Sequence, residues 1–373
     1  MLNMVDTHYL LLVSWTAIGM NFSDAKDMRL KRHKKQLDQK AVASKLSSNT
    51  FKNVLNSTGM TNHFHVVNQT EMLVMDQMKV HTFGLEKNDK KITTELKAPY
   101  TRMNFYNYVE FDKVQIYFPR EFFPMVYYNK EYVQHLNQKF LGKRKHTGFA
   151  NTSLSAFRTR GKLYYLGCDE VIYSASLSKL LGFAKSKTSE VSFKVEKEAT
   201  GVIDFTVCSK SSRVFIIDNK AIILHNSNKR HIFAENEKCY AMAAVKSVLV
   251  AAVAIPLGSS KCFKLQYLFL SQSGLKPIGA NLAKTVGAAF VLPQKIIFAS
   301  LSIGEVVISV ANFATIDLIL LATKEAFFLK KDMKIAEVCF WTCAAIEIGE
   351  EWKILLGSNS GIYECKIPTK IVL

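Results

Sequence analysis

The chain has no amphipathic stretch of helical period long enough to alternate with its strand-like runs, which argues against a parallel α/β sheet wrapped in helices. It also lacks a Walker P-loop, a G-x-G-x-x-G fingerprint, a G-x-S-x-G elbow, an H-E-x-x-H pair and an EF-hand loop. Those absences remove the chemistries that leave a local signature; a site assembled from several repeats leaves none. Acidic residues are few against basic ones, 31 to 49, for a formal charge of +18. Such an imbalance favours polyanionic partners (RNA, DNA, acidic proteins or anionic lipid) through a long-range attraction that salt weakens.

Metal-ligating patterns are equally sparse. The seven cysteines, Cys168, Cys208, Cys239, Cys262, Cys339, Cys343 and Cys365, are an odd set without regular spacing and fall mostly in apolar runs. They read as free thiols in a reducing compartment. Cys339 and Cys343 make a C-x3-C pair with no second pair nearby to complete a four-ligand zinc site, so packing is the expected role. His63 and His65 would share one strand face, but no third ligand lies close in sequence. His225 and His231 flank a polar loop and are expected to be exposed. The sequence therefore predicts no metal, no cofactor and no catalytic residue.

What is present is strand. Hydrophobic residues make up 49% and charged residues 21% of the 373, the composition of a folded globular chain long enough to bury a large core. Trp352 to Ile367, WKILLGSNSGIYECKI, reads as a β-hairpin: two apolar runs around Gly357, Ser358, Asn359, Ser360 and Gly361, which suit a tight connection. Similar units recur from about Thr70. They are Met72–Phe83, Phe111–Phe118 with Met125–Val133, and the runs beginning at Leu163, Val214, Val248, Ile296, Leu318 and Ile354. Pro119 and Pro124 are expected to interrupt pairing. Most units start about 35 to 50 residues apart, the period of four-stranded propeller blades. The Ile296 and Leu318 hairpins are too close for separate blades, and merging them gives about seven blades. Closing the array into a ring buries both faces of each sheet and leaves only short edges. An open sandwich or two small β-domains is the competing architecture.

The LLGSNSGIYECKI segment resembles the strand-turn-strand of WD40-like propellers, and its apolar run followed by Gly-Ile-Tyr is also similar to the citron-homology type. The resemblance covers residues 70 to 373 as a pattern. Trp-Asp and Gly-His dipeptides are missing at blade positions, so the Asp-His-Ser/Thr-Trp hydrogen-bond network of standard WD repeats does not carry over.

The fold class expected is thus an all-β propeller with a basic N-terminal extension: residues 1–50 as apolar segment, tail and linker, and 51–373 as the propeller. Tyr9–Gly19 has the length of a signal peptide but no Lys or Arg before it; a first strand or a docking segment is the alternative. The sequons at Asn21, Asn56, Asn68 and Asn151 do not decide this. Arg29–Lys40 is the densest basic run, and Lys143-Arg144-Lys145-His146 lies between Gly142 and Gly148. The candidate contacts for an anionic partner are Lys31, Arg32, Lys34, Lys35, Lys143, Arg144, Lys145, Arg158 and Arg160. The apolar runs Val248–Leu257 and Ile296–Ala322 carry β-branched residues, turns and charges that suit buried strands, and no transmembrane span is expected. Phe122, Phe123, Tyr127 and Tyr128 are expected in the core rather than against bases.

Three functions fit. The first is a non-enzymatic propeller that scaffolds protein–protein interactions in a macromolecular complex, in nucleus or cytoplasm. The second is a basic propeller subunit of an RNA–protein assembly of the ribosome-biogenesis type. The third is a secreted propeller with Tyr9–Gly19 removed.

Overall fold

Strand runs that are apolar without alternation imply sheets covered on both faces. The computed structural model of the chain shows why. It describes residues 52–56, 63–67, 70–76, 79–85, 90–96, 105–119, 124–136, 156–158, 161–166, 171–186, 194–197, 202–208, 211–218, 220–256, 262–278, 283–284, 290–291, 296–300, 306–311, 315–321, 325–328, 340–358 and 361–368. Asn49–Leu373 form one compact unit.

Among the described residues the strands fall into seven antiparallel sheets, numbered here along the chain. Sheet 1 holds β2–β5 (His63–Val66, Glu71–Asp76, Lys79–Gly84, Lys90–Glu95) and sheet 2 holds β6–β9 (Phe105–Phe111, Val114–Pro119, Met125–Tyr128, Glu131–His135). Sheet 3 holds β10–β13 (Ala156–Arg158, Lys162–Leu166, Ile172–Ser176, Lys194–Lys197), and sheet 4 holds β14–β17 (Asp204–Val207, Val214–Ile217, Ala221–Leu224, Arg230–Ile232). Sheet 5 holds β18–β22 (Lys238–Val245, Val248–Pro256, Cys262–Ser271, Ala283–Lys284, Phe290–Val291), the last two both pairing with β20. Sheet 6 holds β23–β26 (Ile296–Ser300, Val306–Ala311, Thr315–Leu320, Glu325–Phe328). The Ile296 and Leu318 hairpins therefore belong to one sheet. Sheet 7 joins the two ends of the unit. It holds β27–β29 (Phe340–Ile348, Glu351–Ser358, Gly361–Pro368), and its outermost strand is β1 (Lys52–Asn56), paired with β29.

The first strands of sheets 1, 2 and 3 touch in turn, as do those of sheets 4 to 7, sheets 3 and 4 share a core, and β27 touches β2, so the sheets follow one another around a ring. Successive side chains on a central strand serve different neighbours, and those two apart share one. On β15, Val214 and Ile216 pack toward Tyr164, Leu166 and Ile172 of sheet 3. Phe215 and Ile217 pack toward Cys239, Met242, Leu249 and Val253 of sheet 5. Alternation is still present, but both faces of the strand are apolar because each meets another sheet.

Two features depart from the sequence reading. Strand content begins ahead of Thr70, with β1 and β2. A helix, α1 (Leu177–Ser186), stands between β12 and β13 of sheet 3. Its Leu180, Phe183 and Ala184 are buried at helical spacing in the core that sheets 2 and 3 share. The prolines lie at strand ends: Pro119 closes β7 opposite Phe105, and the Pro124 carbonyl accepts the Leu136 N–H at 2.7 Å.

Ring closure is reinforced by charge. Lys353 of β28 and Glu364 of β29 are both buried and pair at 2.6 Å. The Lys353 Nζ also donates to the Leu85 carbonyl of sheet 1, tying the last sheet to the first. No helix among the described residues is long and apolar enough to cross a membrane.

Candidate functional site

Short polar turns join the strands of sheets 4 and 5, and their backbones take left-handed conformations at Ser212 (φ 51°), Asn226 (φ 56°), Lys246 (φ 51°) and Leu275 (φ 55°). Cys208 and Arg213 close the β14–β15 turn through a 2.9 Å bond from the Cys208 N–H to the Arg213 carbonyl. Leu224 and Lys229 close the β16–β17 turn at 3.0 Å. After β20, Ser271 N–H donates to Lys276 O and Leu275 N–H to Ser271 O, both at 2.9 Å, which shapes a tight loop.

These turns are bonded to one another. The buried Gln272 donates its N–H to Ser247 O and its side-chain amide to Val248 O, both at 3.0 Å, fixing the loop on the β18–β19 turn. Across the sheet boundary, Arg213 Nη1 donates to Gln272 O at 3.1 Å and Lys229 Nζ to Ser273 O at 2.7 Å. Two cations from sheet 4 thus sit on consecutive carbonyls of sheet 5. Arg213, Lys229, Lys246 and Lys276 are all exposed.

Charge is sorted along these strands. Residues 208–213, 225–229, 246–247 and 271–278 include no Asp or Glu. The acids Asp204, Asp218, Glu235 and Glu237 stand at the other ends of the strands. Three of them accept backbone N–H groups: Asp218 from Lys220 and Ala221, Asp204 from Phe205, and Glu237 from Ala234. One rim of sheets 4 and 5 is therefore cationic, while much of the carboxylate on the other rim is held by backbone.

A second cluster joins sheets 1 and 2. Rings form a row across the face of sheet 2 that meets sheet 1: His65 to Tyr108 at 5.1 Å, Tyr108 to Tyr117 at 4.9 Å, Tyr117 to Tyr127 at 5.2 Å and Tyr127 to Tyr132 at 5.5 Å. Gln115 Nε2 donates to the Tyr108 hydroxyl at 3.0 Å, and that hydroxyl donates to Glu110 at 2.5 Å. Burial is the main cause that pushes the Tyr108, Tyr117 and Tyr127 phenols far above their ordinary range, so they stay protonated. Burial also lowers the His65 pKa, opposed by the Glu110 charge. A row of neutral phenols and an uncharged imidazole suits packing between sheets better than acid–base work.

Cysteines show the same quiet chemistry. Cys208, Cys239 and Cys365 are buried and Cys343 on β27 is half-buried, and none of the four is in a disulfide. Burial raises the Cys239 thiol well above its usual value and pushes Cys365 up to about 12, with the Glu364 charge adding to the latter. Such thiols do not supply thiolate at neutral pH. Among the described residues no group of His, Cys, Asp and Glu is arranged to hold a metal ion. His225 and His231 are half-buried rather than exposed. His231 packs edge-on against Phe233 at 5.9 Å, because β17 continues through it and turns its ring onto the sheet. Tyr127 is buried and Tyr128 half-buried in sheet 2; Phe122, Phe123, His63's side chain and Cys339 lie outside the described residues.

Of the cations singled out by sequence, Lys31, Arg32, Lys34, Lys35, Lys143, Arg144, Lys145 and Arg160 lie outside the described residues. Arg158 is placed by its backbone alone, at the end of β10 opposite Leu163. The cationic turns of sheets 4 and 5 went unnoticed in the sequence because they form no run. Each basic residue closes its own hairpin. The readable signal was Ser-Ser-Arg, Asn-Ser-Asn-Lys, Lys-Ser and Ser-Gly-Leu-Lys, each standing between two apolar strands.

No protein-family model matches the chain, and no curated protein matches it. Solved structures do. The chain is similar to the extracellular domain of a B. thetaiotaomicron protein classed as a one component system, at 10% identity with a TM-score of 0.53, covering 85% of this chain and 40% of that one. It is similar to the C-terminal WD40 domain of Sif2, at 7% identity with a TM-score of 0.53, covering 83% and 81%. It is also similar to YCF48 bound to D1 peptide, at 9% identity with a TM-score of 0.53, covering 85% and 96%. Identities this low speak to fold alone. The chain is an all-β protein that resembles WD40-like propellers.

Proposed function

We propose that this protein is a non-enzymatic scaffold for protein–protein interactions, with its seven sheets acting as the blades of one propeller over residues 51–373 and residues 1–50 as a basic extension. The observation that carries this reading is the exposed turn surface of sheets 4 and 5, where Arg213 and Lys229 are hydrogen-bonded across the boundary between sheets. A rigid polar surface on a ring of sheets is suited to holding partners, and among the described residues the Tyr108, Tyr117 and Tyr127 phenols and the Cys239 and Cys365 thiols stay protonated. YCF48, of the same fold, has been solved with a D1 peptide bound, a precedent for peptide binding on such a ring.

The test is native isolation of the tagged full chain from nucleus and cytoplasm, followed by cross-linking. Stoichiometric protein subunits are expected, migrating with the chain well above its own 42.1 kDa. Migration as a free 42.1 kDa monomer under mild extraction would sink the scaffold reading.

The formal charge of +18 favours a second reading, a subunit of an RNA–protein assembly. Lys31, Arg32, Lys34, Lys35, Lys143, Arg144, Lys145, Arg158 and Arg160 are its proposed phosphate contacts. Each phosphate neutralised adds roughly 0.7 to 0.9 to the logarithmic salt slope. Replacing the two clusters with Gln should flatten that slope and weaken RNA retention while the thermal transition stays in place. An unchanged slope in a folded variant removes this reading.

A further inference from the structure

Resting on the scaffold reading, and deepening it, we infer that the turn surface of sheets 4 and 5 is a docking site for an acidic protein segment. Arg213, Lys229, Lys246 and Lys276 are presented by four separate turns, and the 208–213, 225–229, 246–247 and 271–278 stretches that carry them include no carboxylate. The turns do not move independently. Gln272 pins the loop after β20 to Ser247 and Val248, and Arg213 and Lys229 cross from sheet 4 to the Gln272 and Ser273 carbonyls. These cations are held before a partner arrives, so less side-chain entropy is lost on binding than with free lysines. The same stretches carry Ser212, Asn226, Ser227 and Ser273, whose hydroxyls and amides suit carboxylates and peptide groups.

The same stretches contain no Phe, Tyr or Trp. A nucleic-acid strand would find cations here, but the flat groups open to its bases are only the half-buried His225 ring and the Arg213 guanidinium, which is already bonded to the Gln272 carbonyl. The segmental, hairpin-tip character also offers neither a helix nor a ribbon to enter a groove. Acidic peptide is therefore the ligand class that these turns fit.

The experiment measures binding of a fluorescent oligoglutamate peptide and a uridine oligonucleotide of equal charge to the full chain. Two variants are compared, each lacking four positive charges: R213Q/K229Q/K246Q/K276Q, and the control K52Q/K79Q/K220Q/K238Q, whose lysines lie elsewhere. The first should lose peptide affinity by at least about tenfold with an unchanged thermal transition, and the control should lose about threefold or less. Equal losses in both variants would show attraction to net charge alone and overturn the site. Oligonucleotide binding that is tighter than peptide binding and is lost only in the first variant would make the surface a nucleic-acid site, overturning the assignment. If the first variant is unstable, the pair R213K and K229R replaces it; retention of peptide binding by both is expected, and loss by both would refute a charge-based site. Failure of native assembly with peptide binding intact would count against the scaffold reading alone; assembly that persists while peptide binding is absent would count against this site alone.

Discussion

Lys353 shows how much depends on one buried charge. Its ammonium lies between Glu364 and the Leu85 carbonyl, nearly all of it out of water. Removing one member of such a pair strands the other and costs about 3 to 5 kcal/mol, whereas replacing both with apolar residues of similar volume is often neutral. K353A should therefore lower the urea midpoint strongly, and K353M/E364L should recover most of it. If the single and double variants are equally unstable, the pair is not what joins sheet 7 to sheet 1. His65 makes a pH-dependent contribution. Its folded pKa is lowered from 6.5, chiefly by burial, so the unfolded chain binds the extra proton first. Stability is then fully present above about 6.5 and falls as the pH drops through the folded value. H65F should flatten the decline of urea midpoint between pH 7 and pH 5; a slope equal to that of the wild type would show that other groups set it. None of this was readable beforehand. Lys353 and Glu364 looked like ordinary alternating polar positions in WKILLGSNSGIYECKI, and only the neighbouring sheet reveals that their face is covered.

Hairpins were the legible elements, since apolar runs broken by small polar residues survive any tertiary arrangement. Their turns were less so. The β6–β7 and β8–β9 connections are two-residue turns with both residues left-handed: Asp112 (φ 45°) with Lys113 (φ 68°), and Asn129 (φ 51°) with Lys130 (φ 68°). Glycine is the usual second residue of such turns, and lysine there carries backbone strain. K113G and K130G should each raise stability by about 1 kcal/mol or slightly less after the added freedom of the unfolded chain is counted, read as a higher thermal midpoint. A lowered midpoint for both would mean that the lysine side chains matter more than the backbone. Helix α1 is hard to read because its ten residues follow β12 directly and only Leu180, Phe183 and Ala184 mark its buried face. Phe183 is its anchor between sheets 2 and 3, and F183A should cost about 3 to 5 kcal/mol. A loss below 1 kcal/mol, by denaturant titration, would show that α1 merely lies on the surface.

At the scale of the whole molecule, the repeat period announced the ring, but its closing strand was hidden. Residues 52–56, KNVLN, have too little apolar content to resemble the other units, because an outermost strand packs little and bonds chiefly through its backbone. The cationic turns of sheets 4 and 5 were hidden for a related reason: the period that brings them to one rim also scatters them along the sequence. A chain beginning at Asn49 should keep the cooperative thermal transition of the full protein, while one beginning at Thr70, without β1 and β2, should lose it. Equal transitions would make the pairing of β1 with β29 dispensable.

That pairing also sets a clock. β1 leaves the ribosome about 300 residues ahead of β29. At about 5 to 20 residues per second, β1 spends roughly 15 to 60 s without its partner. Through that interval the nascent chain exposes a strand edge at each end of an unfinished circle, so its exposure to chaperones and to mispairing with neighbouring chains is governed by translation speed.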